Sequence, residues 1–123
     1  HHKHSYYIIA NSEIFGLTPQ ETEIIAHIAR YHRRSPPKPS HVEYATLPRE
    51  SRVVVNKLAA VLRVADALAR GNIQSAEQVE LGHDEDELFI TIRGLSKVFL
   101  EKRSVALKSD MFEDVYGMKV RVE

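Results

Sequence analysis

Cysteine is absent from the 123 residues, so no disulfide can brace the fold, and the chain must rely on a packed core, for which its length suffices. The same absence fits a reducing compartment, and a cytoplasmic location is the expectation. Long apolar runs are also missing. Lys57, Arg63 and Asp66 interrupt the most hydrophobic stretch, which excludes a bilayer-spanning helix, and the opening residues give no expectation of a secretory leader. Net charge is absent too. Seventeen basic residues balance seventeen acidic ones, so the molecule is not a polycation built to coat nucleic acid, and neither nucleic acid nor membrane is an expected partner. Finally, no glycine-rich phosphate loop of the Walker type occurs.

What is present is an ordinary globular composition, 43% hydrophobic and 28% charged, with local charge asymmetry. Residues 27–41, HIARYHRRSPPKPSH, contain no carboxylate, whereas HDEDE at 83–87 is an acidic cluster. The basic run reads either as a solvated face or as a patch able to attract an anion. The chain opens on HHKHSYYII with no initiator methionine, as a piece cut from a longer protein would; His1 and His2 are either native or a purification remnant.

Punctuation and periodicity divide the chain. A first helix is expected over residues 3–10, stopped by Asn11, Ser12 and Gly16. Thr18-Pro19-Gln20-Glu21 supplies an N-cap threonine, a proline at the first helical position and a glutamate at the third, and predicts a helix over 18–33. Ile25, Ile28, Ala29 and His32 share one of its faces, and His27 is assigned to the polar side near Glu23. The run Ser35-Pro36-Pro37-Lys38-Pro39 cannot continue it. A longer helix follows from about 49 to 70, with Val54, Leu58, Val61, Ala65 and Leu68 as its central stripe, Val55, Ala59, Leu62 and Ala69 widening the arc, and Gly71 as its C-cap. From Ala76 the pattern changes to alternation. A strand at 78–81, an acidic turn, a strand at 88–93, one helix from about 96 to 116 stopped by Gly117, and a strand at 118–122 make a β-β-α-β unit. The expected architecture is mainly α with a small α+β tail: an HD-like helical domain over 1–75, incomplete at its N-terminus, followed by a subdomain over 76–123.

Three ionisable residues stand where a bland helix would place aliphatics. His4 shares a face with Tyr7 and Ile8, His32 falls on the second helix's apolar face, and Asp66 lies among Val55, Ala59, Leu62 and Ala69. A buried carboxylate requires a cation, hydrogen-bond donors or a metal. Two histidines and an aspartate make an incomplete divalent-metal set. The plainer alternative is that the histidines are hydrogen-bonded core residues and that Asp66 pairs with Arg70 at i+4 or Arg63 at i−3.

The wording of these segments carries more than their periodicity. HHKHSYYII, IARYHRRSPP and KLAAVLRVADALAR, in this order, resemble the C-terminal region of the exopolyphosphatase/guanosine-pentaphosphate phosphohydrolase (Ppx/GppA) family, across essentially the whole chain. The resemblance implies an HD-like region that follows N-terminal actin-like domains in the parent enzyme, extends a polyphosphate channel and supports a homodimer. It also implies that His4 and His32 correspond to the additional metal histidines of HD proteins and Asp66 to their late aspartate. The family's central His-Asp pair lies before the point where this sequence begins, and Ala69 replaces an aspartate common in the family motif. A divalent metal such as Mg is therefore expected to act through the parent enzyme, with none bound here and no catalytic residue in this chain.

The leading expectation is an accessory region of a phosphoanhydride hydrolase, binding polyphosphate or guanosine pentaphosphate through Lys3, Arg30, Arg33, Arg34, Arg63 and Arg70, since cationic side chains form strong charge-assisted hydrogen bonds to phosphate. The alternatives are an autonomous metal-dependent HD phosphohydrolase and a structural dimerisation module.

Overall fold

The computed structural model describes residues 2–33 and 35–123, with side chains from residue 4 onward. The chain forms two compact units, His1–Ala59 and Ala60–Glu123. This division by contacts falls inside a helix, whereas the sequence division at 75/76 follows the change of secondary structure.

The first unit contains α1 (His2–Ala10), α2 (Pro19–Tyr31), the short α3 (Val42–Ala45) and the first part of α4 (Arg49–Ala69). The start of α2 follows directly from its sequence. Thr18 accepts a hydrogen bond from the Glu21 amide at 3.1 Å, and the Glu21 carboxylate accepts one from the Thr18 amide at 2.9 Å. This reciprocal box satisfies two amides that have no partner within the helix. Gly16, at φ 88°, makes the preceding turn.

The buried face of α2 differs from the sequence reading. Thr22, Ala26, His27, Arg30 and Tyr31 are buried, while Ile25 is exposed. Helical spacing allows either set. The fold buries the one centred on His27, where the rings of Tyr6 on α1, Tyr31 on α2 and Tyr44 on α3 pack around the imidazole. A similar inversion occurs along α4. Val55, Ala59, Ala60, Val64 and Ala67 are buried, whereas Val54, Leu58 and Val61 of the expected central stripe are exposed. α3 lies within what proline content marks as a connection. It is only four residues long, too short to display a period.

The second unit contains the rest of α4, β1 (Val79–His83), β2 (Glu87–Ile92), α5 (Phe99–Lys108), α6 (Asp110–Tyr116) and β3 (Lys119–Val122). β2 is central. It pairs antiparallel with β1, Val79 opposite Ile92 and His83 opposite Leu88, and parallel with β3, Leu88 beside Val120 and Ile90 beside Val122. The parallel pairing requires a crossover, which the helices provide. Asp84 closes the hairpin by accepting from the amides of Asp86 and Glu87 at 2.7 and 2.8 Å. The alternation in β2 is realised, with Ile90 and Ile92 buried.

The single helix expected between the strands is two. Ser109, buried and at φ −87°, ψ −4°, ends α5 and precedes α6. Asp110 then accepts a hydrogen bond from the fully buried Arg63 at 3.3 Å. This ion pair and the burial of Met111 and Phe112 are tertiary facts with no periodic trace in the sequence. Gly117 stops α6 as expected, at φ 67°, its amide donating to the Glu113 carbonyl.

Gly71 has a different reason for being glycine from the one its position suggests, since it is not among the positive-φ residues. A Cβ there would run into the Glu101 carboxylate. Glu101 is fully buried and accepts from the Asn72 amide at 3.0 Å, so it cannot swing away without giving up that bond. Gly71→Ala is expected to lower the stability of this unit by about 1–3 kcal/mol, the range for overpacking a tight core. Urea unfolding checks this, and Gly82→Ala, with no neighbour near its Cβ, serves as the control.

Candidate functional site

The most concentrated polar chemistry in the first unit is a cage around His27. Its ring is fully buried, 4.8 Å from the Tyr6 ring centroid, 6.1 Å from Tyr31 and 6.2 Å from Tyr44. Nε2 lies 3.3 Å from a Glu23 carboxylate oxygen, but neither ring nitrogen has a hydrogen-bond partner among the described residues. That oxygen accepts from the Tyr6 hydroxyl at 2.5 Å. Arg30 approaches Glu43 at 3.6 Å and stands over the Tyr31 ring at 5.1 Å, and Glu43 also accepts from the Tyr7 hydroxyl at 3.1 Å. Tyr31 is hydrogen bonded to Nδ1 of His41 at 2.8 Å.

Electrostatics in this cage follow from burial. Removal from water lowers the pKa of His27, against an upward pull from Glu23. Burial pushes the Tyr31 phenol up to about 12, partly opposed by Arg30, and raises Tyr6 further with help from Glu23. Sequence reading missed the cage because it placed His27 on the polar face. The available signal was Glu23 four residues before His27, with Tyr31 four after it.

The sequence-predicted metal candidates take different roles. His4 is exposed on α1. His32 caps the end of α2, half-buried, with Nδ1 bonded to the Ala29 carbonyl at 2.8 Å. Asp66 accepts from Arg70 at 3.1 Å, the i+4 pairing weighed for it. Among the described residues no group of three or more histidine or carboxylate side chains is placed to hold a metal ion, and no chemical step is routed through one.

The basic candidates also separate. Arg30 and Arg63 are buried against carboxylates, and Arg70 is exposed but paired with Asp66. Arg33 and Lys38 are exposed. The side chain of Lys3, and Arg34, lie outside the described residues. In the second unit, Lys108 has its pKa lowered first by burial and then by the charges of Arg63 and Arg70. That unit also contains an apolar cavity of about 560 Å³ lined by Val61, Val64, Leu68, Ile73, Leu81 and Phe112 among others, a lining unsuited to a polyanion.

A family model described as Ppx/GppA phosphatase, domain III, matches residues 1–111. The chain belongs to the Ppx/GppA phosphatase family. The match takes in both the His27 cage and the basic run at 27–41, and it stops before β3. No curated protein matches the chain. Among the described residues of this Ppx/GppA domain, no helix is long and apolar enough to cross a membrane.

The enclosed His27 sets a pH dependence. Its folded pKa lies below the unfolded value of about 6.5, so the unfolded chain binds the proton more readily. The stability it contributes is complete above about pH 6.5 and is lost as pH falls from there toward the depressed folded pKa. Urea midpoints at pH 7.5 and 5.5 are expected to drop for the native chain and to drop less for His27→Leu. His27→Ala is expected to cost on the order of 2 kcal/mol at pH 7.5 through the cavity it leaves.

Proposed function

We propose that this Ppx/GppA domain is the accessory region of a phosphoanhydride hydrolase of the exopolyphosphatase type, holding polyphosphate or guanosine pentaphosphate for a catalytic centre carried elsewhere in the parent enzyme. The observation that carries this reading is the exposure of Arg33 and Lys38 within a carboxylate-free run that the family match covers. Arg34 and Lys3 join them as candidates on their sequence positions, and Arg70 is a weaker one because Asp66 offsets its charge. Buried Arg30 would act indirectly, by holding α3 to α2 through Glu43, and buried Arg63 is engaged with Asp110 in the second unit. Arginine suits the role through paired hydrogen bonds to phosphate oxygens, and lysine as a mobile point charge. Catalysis and any divalent metal such as Mg would belong to the actin-like domains of the parent, and its location would be cytoplasmic.

A second reading, an interaction module, draws on the exposed apolar residues Val54, Leu58 and Val61 along α4. Such a stripe is suited to meet the enzyme's own actin-like domains or a second copy of the chain.

Polyphosphate titration of the isolated chain tests the first reading. Binding is expected at low salt and is expected to vanish as the Debye length falls from about 10 Å at 0.1 M to about 3 Å at 1 M salt. Exposed charge contacts contribute about 0.2–1 kcal/mol each, so Arg33→Ala/Arg34→Ala is expected to weaken binding by roughly two- to thirtyfold. Salt-independent binding, or phosphate release by the isolated chain, would overturn the assignment.

A further inference from the structure

Residues 35–46 connect α2 to α4 and include α3. Polar contacts fasten them to the helices, and one of these fixes a protonation state. Nδ1 of His41 receives the Lys38 amide at 3.3 Å and lies 2.8 Å from the Tyr31 hydroxyl. A backbone N–H can only donate, so Nδ1 is the unprotonated ring nitrogen, and the Tyr31 hydroxyl must donate to it as well. Tyr31 is buried and stacks on His41 at 5.5 Å between centroids and 12° between planes. Its hydroxyl is thus committed to a nitrogen that also titrates.

We propose that His41 is a proton-operated latch: neutral, it holds the 35–46 segment on α2, and protonated at Nδ1 it releases that segment. Taking up the proton fills the lone pair that accepts both bonds. The Tyr31 hydroxyl can then no longer donate to Nδ1, and the Lys38 amide meets an N–H in place of a lone pair. The proton also places positive charge on a ring stacked against Tyr31, over which the Arg30 guanidinium already stands.

The surrounding groups decide which way the segment moves. From α2, Glu23, Arg30 and Tyr31 face this cluster, with His27 enclosed among them; from α1, Tyr6 and Tyr7; from α3, Glu43 and Tyr44. Glu43 holds to Arg30 and Tyr7, and Tyr44 donates to Asn56 at 2.8 Å. These contacts do not include the His41 ring. They keep α3 near the helices while the stretch around Lys38 and His41 lets go. His27 acts differently: among the described residues its ring has no hydrogen-bonded partner to release, so its protonation bears on the packing of the whole unit and not on the Tyr31–His41–Lys38 contacts. The latch does not depend on the polyphosphate reading, although it lies in the same carboxylate-free run.

The test measures amide-exchange protection factors, which remove the intrinsic pH dependence of exchange, across residues 40–46 of the whole chain at pH 7.5 and 5.5. The native chain is expected to lose protection there by about tenfold at pH 5.5, the scale of one net hydrogen bond, with the middle of α2 changing less. His41→Asn, which can place an amide oxygen near the Nδ1 position and does not titrate, is expected to lose clearly less protection than the native chain, keeping only the loss that His27 causes in both. As a second measurement, the histidine ring resonances of the native chain are followed with pH, and the amide shifts of 38–46 are expected to follow the His41 curve. Unchanged protection in the native chain, an equal loss in His41→Asn, or amide shifts that follow His27 or His32 would each overturn the latch.

Discussion

The first unit depends on the enclosure of one imidazole. His27 stands four residues after Glu23 and four before Tyr31 on α2, and three tyrosines from three elements close around it. With no hydrogen-bonded partner among the described residues, the buried ring has its pKa lowered by removal from water against the pull of Glu23, so the packing and the protonation state are linked. α1 is held by Tyr6 on the Glu23 carboxylate, α3 by Glu43 on Arg30, and the first part of α4 by Ser51 receiving Gln20 and Asn56 receiving Tyr44. Each contact either touches the cage or orients an element that does.

The second unit solves a related problem with carboxylates. Glu101 is buried, with one oxygen on the Asn72 amide and the other without a hydrogen-bond partner among the described residues. Its position forbids a side chain at Gly71. Arg63, equally buried, reaches Asp110 at the junction of α5 and α6. These groups specify where the helices lie more than they stabilise the fold, since buried charges recover little of their desolvation cost. The sheet is simpler, a hairpin extended by a parallel strand whose inward residues alternate as a half-buried strand requires.

Burial changes the functional meaning of the basic residues. A guanidinium can serve a polyanion only where it is accessible, and burial against carboxylates removes Arg30 and Arg63 from that role. The apolar cavity of the second unit and the exposed residues on α4 are surfaces of another kind, where association would be driven by area rather than charge.

By itself the sequence determined the elements whose signals are local. The Thr18–Glu21 box, the stop at Gly117, the hairpin around Asp84 and the alternation of β2 all rest on interactions spanning a few residues, so they can be read from spacing. The family was legible for a similar reason: HHKHSYYII, IARYHRRSPP and KLAAVLRVADALAR are contiguous segments whose order survives without knowledge of contacts. Tertiary structure decided which of two permissible faces each helix buries, turning α2 toward His27 and leaving Leu58 of α4 in solvent. It also broke the last helix at Ser109 and gave Gly71 its steric reason. A period of 3.6 residues fixes which side chains share a face, but the partner that chooses between faces lies far away in sequence, and only the folded chain brings it into contact.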